Sequence, residues 1–165
     1  MDVSRLSRHY SVVSLHEADA DAILDIYRKN PLYFRHCEAE PTREQVLRDL
    51  NEAPPGIETR RKHFVGFFEG DSLVALLDLV EGYPEPATCY IGLFMVGADF
   101  QGKGVGRRII GDVCDWLRRC GFTHARLAIA RDNPQANHFW TICGFAVTDA
   151  VERNGWPILV ATLRL

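Results

Sequence analysis

No CxxC pair occurs anywhere in this chain. Its five cysteines, Cys37, Cys89, Cys114, Cys120 and Cys143, are odd in number and scattered. Neither a disulfide framework nor a metal site is suggested, and reduced thiols in a cytoplasm are the expectation. No apolar stretch is long enough to cross a bilayer, so no membrane partner is expected. The first twenty residues lack the apolar core of a signal peptide. Positive charge is not in excess: 19 Lys and Arg face 22 Asp and Glu, a net charge of -3. That balance argues against broad nucleic-acid binding. Repeats and low-complexity tracts are missing as well. What remains is an ordinary globular composition, 47% hydrophobic and 25% charged over 165 residues. This is enough for one core, so a single domain over 1–165 is expected.

Periodicity orders the elements. "YSVVSLHEADADAILDIYRKNPLYF" reads as a short strand and then a helix. The helix starts near Asp19 or Asp21, carries Ala22, Ile23, Ile26 and Tyr27 at helical spacing, and is stopped by Pro31. "PTREQVLRDL" reads as a second helix, with Thr42 as N-cap and Gln45 three residues on. Three strand-like runs follow, "HFVGFFE", "SLVALLDLV" and "TCYIGLFMV". Gly70-Asp71 joins the first two as a hairpin.

Val105, Ile109, Val113, Trp116 and Cys120 then recur at helical spacing, and Gly121 sits where a helix ends. "HARLAIA" is a strand, and "NPQANHFWTIC" a short helix with Asn133 at its cap and Pro134 in its first turn. "FAVTDAV" and "WPILVATLRL" close the chain as an antiparallel pair. About four helices interleaved with one mixed sheet of about seven strands give an α/β (α+β) domain.

The stretch "FQGKGVGRR" packs Gly102, Gly104 and Gly106 around Lys103, between a strand and a helix. Such a turn suits a phosphate. Glycine lets backbone N–H groups come close, and the helix N-terminus adds unpaired N–H groups and partial positive charge. Two familiar phosphate loops fail here. "GADFQGKG" meets the GxxxxGK part of a P-loop, but Gly104 stands where the magnesium-binding hydroxyl belongs. "GKGVG" brings its third glycine one residue too early for a dinucleotide fingerprint.

A third pattern is complete: Gln101-x-x-Gly104-x-Gly106, directly after a strand. It resembles the acetyl-CoA loop of the GNAT superfamily of N-acetyltransferases. "NPQANHFWTICGF" is similar to that superfamily's second signature at Asn133, Ala136, Phe139, Gly144 and Phe145. The order of elements resembles the family fold over nearly the whole chain.

The resemblance implies acetyl-CoA as cosubstrate and direct transfer to an amine in a ternary complex. It places the pyrophosphate on the amides of Gly102, Lys103, Gly104, Val105, Gly106 and Arg107, with Lys103, Arg107 and Arg108 as nearby charge. It pairs the pantetheine arm with Phe94, Met95 and Val96, in a gap where that strand and the one starting at His124 form a splayed pair. It brings Asn133, Asn137 and Trp140 toward the thioester. The chain departs from the pattern at Trp140, where many members carry a tyrosine acid. An indole N–H donates a hydrogen bond but is no acid. It departs again at Ala128 and Tyr90, where other members carry a glutamate base.

The base is therefore sought elsewhere. Asp78 interrupts the apolar run "LVALLDLV" and is the first candidate, with a structural ion pair as its plainer reading. Tyr90 is the second. Glu81 and Glu85 read as loop charges, and His63, His138 and Cys143 as surface or packing residues. Asp78, Glu81 and Glu85 together hint at a cationic acceptor, either a small molecule or a peptide amine. A homodimer is compatible with the sequence. Two rival readings stand beside the enzyme: a CoA-binding module without catalysis, and a nucleotide-binding NTPase.

Overall fold

The computed structural model describes residues 1–37, 40–153 and 155–165. A seven-stranded sheet runs in the order β1-β2-β3-β4-β5-β7-β6. Its strands are β1 (Ser11–Ser14), β2 (Lys62–Glu69), β3 (Ser72–Glu81), β4 (Thr88–Val96), β5 (His124–Ala130), β6 (Ala146–Arg153) and β7 (Trp156–Arg164). Every neighbouring pair is antiparallel except β4 and β5. The helices are α1 (Ala20–Arg28), α2 (Pro31–Cys37), α3 (Arg43–Asn51), α4 (Val105–Arg119) and α5 (Pro134–Ile142). None of the described helices is long and apolar enough to cross a membrane.

Local chemistry explains most boundaries. Thr42 Oγ1 accepts from Gln45 N at 3.2 Å and opens α3. Gly70, at φ 58°, makes the β2–β3 hairpin. Asn133 Oδ1 accepts from Ala136 N at 3.0 Å and opens α5, with Pro134 at its first position.

One expectation is corrected. Pro31 does end the run begun at Ala20, but it also starts α2. Proline's missing N–H costs nothing at the first helical position, so it starts a helix as readily as it stops one. The described residues thus hold five α-helices rather than four.

The sheet separates two apolar layers. On one face Ile109, Val113 and Leu117 of α4 pack on Val65, Leu77 and Ile91. On the other Ile23, Tyr27 and Val46 of α1 and α3 pack on Phe64, Leu76 and Met95. The site lies where the sheet opens between these layers.

Candidate active site

β4 and β5 pair only from Thr88–His124 to Ile91–Leu127. Beyond that point β5 continues along β7, and β4 continues along β3. The two strands therefore part. A bulge marks the place: Asp78 opposes Leu93 and Leu79 opposes Ile91, which leaves Gly92 as the extra residue of β4. Gly97 N donates to Val74 O at 2.8 Å, so by strand alternation the backbone groups of Phe94 and Val96 turn away from β3 and toward the gap. A cleft of about 680 Å³ occupies it, lined by residues of β4, β5, β7, α2, α3 and α5.

The glycine loop sits at one end of β4. Gly102 and Gly104 have φ of 71° and 75°, and a Cβ on either would meet nothing within 4 Å. Both conditions suit a loop whose backbone takes a ligand closely. Gly104 is the residue before α4, a fifteen-residue helix with unpaired N–H groups at its start. Gly106 differs from the other two. It is buried in α4, and a Cβ there would lie 3.1 Å from Phe139 and 3.2 Å from Val96. Its smallness lets α4, α5 and β4 approach. Lys103 Nζ donates to Asp99 O at 2.8 Å, within the loop itself. Arg107 and Arg108 border a second, shallower hollow outside α4, together with Arg8 and Asp115.

Beside the start of α4 the aromatic residues form one cluster. Phe94 stacks on Phe139 with centroids 5.8 Å apart. Trp140, buried and lining the cleft, meets Phe94, Phe139 and Phe145 edge-on at 5.0 to 6.0 Å. Met95 points the other way, into the α1–α3 layer. Asn133 lines the cleft, and its Oδ1 is committed to the α5 cap. Asn137 Nδ2 donates to Asn133 O at 2.9 Å.

The two catalytic candidates are placed differently. Tyr90 lines the cleft and meets Tyr83 edge-on at 5.4 Å. Asp78 lies behind the cleft wall. Lys62 Nζ donates to its Oδ2 at 2.7 Å, and the two side chains are 4% and 13% exposed. That same oxygen fills the space a Cβ would take at Gly92, 2.5 Å away. Asp78 Oδ1 is buried with no hydrogen-bond donor among the described residues. Burial raises the pKa of Asp78, and the Lys62 ammonium works against that rise. Glu81 is also engaged: it accepts from the Met1 amino group at 2.6 Å and sits 2.5 Å from His63 Nε2. The charges of Asp78 and Glu81 are thus matched inside the fold rather than displayed to a ligand.

A carboxylate that the sequence did not single out does line the cleft. Asp49, on α3, accepts from Tyr27 Oη at 2.7 Å and from Gln45 Nε2 at 2.8 Å. Burial raises its pKa, while those two hydrogen bonds pull it down. Burial also pushes the Tyr27 phenol well up, with Asp49 adding to the shift, so Tyr27 stays a donor.

The family model for the acetyltransferase (GNAT) family matches residues 20–145. The chain belongs to that family. An acetyltransferase from Thermus thermophilus is similar at 27% identity, with a TM-score of 0.77 over 94% of this chain and 96% of that one. A GCN5-related N-acetyltransferase from Kribbella flavida is 24% identical, with a TM-score of 0.67 over 95% and 98%. The PaiA N-acetyltransferase of Thermoplasma acidophilum, solved with coenzyme A, has the same fold at 14% identity and a TM-score of 0.66 over 91% and 96%. Comparison with curated protein sequences gives no match.

The GNAT assignment accounts for the geometry. The parting of β4 and β5, the left-handed Gly102 and Gly104, and the start of α4 follow one another along the chain. The residues present fit a CoA thioester: an open backbone cradle for the pyrophosphate, and the outward backbone groups of Phe94 with the Val96 N–H for the amides of its arm.

Proposed function

We propose that this chain transfers an acetyl group from acetyl-CoA to a primary amine, with both substrates bound together. The observation that carries the reading is the end of β4–β5 pairing at Ile91–Leu127, with a cleft continuing past it. The gap holds the cofactor arm on one side, and the cleft admits an acceptor from the other.

Acetyl-CoA supplies an activated acetyl group and a thiolate that leaves readily. The protein's part is mainly placement. Gly102 to Arg107 hold the pyrophosphate, and Phe94 and Val96 hold the arm at a fixed depth. Held reactants gain much of their rate from that alone. Trp140 is locked by three aromatic contacts and shapes the wall. An alternative is a module that binds CoA without transfer, motivated by Trp140 where many relatives hold a tyrosine. One experiment separates them: thiol release from acetyl-CoA across an amine library. Turnover with any amine supports the enzyme. CoA binding without turnover supports the module, and absence of CoA binding removes both.

A further inference from the structure

Asp49 is a cleft carboxylate held entirely by neutral donors. Tyr27 Oη fixes Oδ2 and Gln45 Nε2 fixes Oδ1. Lys62 and Arg48 act on it at longer range, but each makes its close contact elsewhere. Lys62 is committed to Asp78 at 2.7 Å, and Arg48 reaches Gln45 Oε1 at 2.7 Å on the surface. At the cleft rim, Asp132 Oδ1 lies 3.4 Å from His36 Nδ1. The same cleft is lined by the aromatic residues Tyr33, Phe34 and Tyr90.

We propose that the acceptor end of the cleft is a site for an alkylammonium group, with Asp49 as its counter-charge and the aromatic residues as the wall along its carbon chain. The proposal rests on the acetyltransferase reading and names the substrate class for it. Three features support it. A carboxylate that is partly desolvated and has no close ion-pair partner among the described residues gains more from an incoming cation than from any neutral group. Burial raises the Asp49 pKa even though Tyr27, Gln45, Lys62 and Arg48 all pull it down. Aromatic faces attract cations and cover methylene groups at the same time. A carboxylate ligand would be repelled, and an alcohol would leave the charge unmatched. The ammonium can belong to a free alkylamine or to a lysine side chain, since the two share this chemistry.

The test is calorimetric titration of the CoA-bound protein with hexylamine, hexanol, hexanoate and a lysine-containing tripeptide. Hexylamine is expected to bind at least about tenfold more tightly than hexanol, and hexanoate not at all. Asp49→Asn should erase the preference of amine over alcohol while leaving CoA affinity within about twofold. Should that variant not fold, the wild-type comparison of hexylamine with hexanol decides alone. Stronger binding of the tripeptide than of hexylamine assigns the site to lysine side chains, and the reverse to small amines. Equal binding of amine and alcohol, or no hexylamine binding at all, overturns the proposal. Acetylation of aniline, a neutral amine, under those same conditions would leave the acetyltransferase reading intact while this inference falls.

Discussion

Gln101 Nε2 donates to Val96 O at 2.9 Å and to Asn30 Oδ1 at 2.7 Å. Asn30 in turn donates to Ile26 O at 2.9 Å, at the end of α1. One polar relay therefore ties the glycine loop to the last residue of β4 and to the helix behind it. The Gln of the Q-x-x-G-x-G pattern anchors the loop.

Gln101→Leu should weaken CoA binding by roughly tenfold, the scale of losing two neutral hydrogen bonds that preorganise the loop. The fold should change little, because the side chain is exposed. Titration with CoA and a melting curve give both numbers. Unchanged affinity would show that the loop holds its shape without the relay.

The glycines should part company under substitution. At Gly104 a side chain meets open space but must adopt φ 75°, a strain of roughly 1–2 kcal/mol. Gly104→Val is expected to fold and to bind CoA poorly. At Gly106 the dihedral is ordinary and the space is not, with Phe139 3.1 Å from a Cβ. Gly106→Val is expected to melt lower, by overpacking worth about 1–3 kcal/mol. Similar melting and binding in the two variants would contradict these separate roles.

Lys62→Met should be among the costliest single changes outside the apolar core. It leaves the buried Asp78 carboxylate without its partner, a loss of about 3–5 kcal/mol. Adding Asp78→Asn should recover part of it. Urea unfolding of the two singles and the double closes the cycle. A double variant no better than Lys62→Met would mean that the pair is not coupled. Asp78→Asn alone should leave CoA affinity unchanged, since Asp78 lies behind the cleft wall.

Acid should act through Asp112. Burial works to raise its pKa, but His9 Nδ1, Arg8 N, Ser7 Oγ and Arg8 Nε outweigh that and hold it to about 2, against an ordinary value of 3.8. A carboxyl lowered on folding stabilises the native state above its unfolded pKa. That stability drains away as pH falls from 3.8 toward 2. Asp112→Asn should therefore lower Tm at pH 6. Its difference from the native chain should shrink between pH 4 and pH 2. A gap independent of pH would assign the effect to packing.

The cap at Thr42, the turn at Gly70 and the glycine loop were legible because each is a local event, decided within four or five residues. The two-fold meaning of Pro31 was not, since a stop and a start look alike until the next helix is placed. Asp49 was hidden for a different reason. In "REQVLRDLN" it looks like any solvated helix charge, and its environment comes from Tyr27, twenty-two residues earlier. Asp78 was conspicuous for the same local logic that hid Asp49. Its interruption of an apolar strand is real, but the answer to it is Lys62 on the neighbouring strand. The bulge at Gly92 left no mark except a glycine in a strand, and the Asp78 oxygen lying over it explains why no larger residue stands there.

The sheet is two antiparallel leaves bound along a spine only four residue pairs long, Thr88–Ile91 against His124–Leu127. Past the spine the leaves stand open, and the outward amides of Phe94 and Val96 have no strand to answer them. In hydrogen–deuterium exchange those two amides should trade protons quickly in the empty chain, among slow neighbours at Leu93 and Met95. A molecule laid along the opening with its own amide groups would slow them and stitch the leaves together, serving the sheet as a strand that the chain itself does not contain.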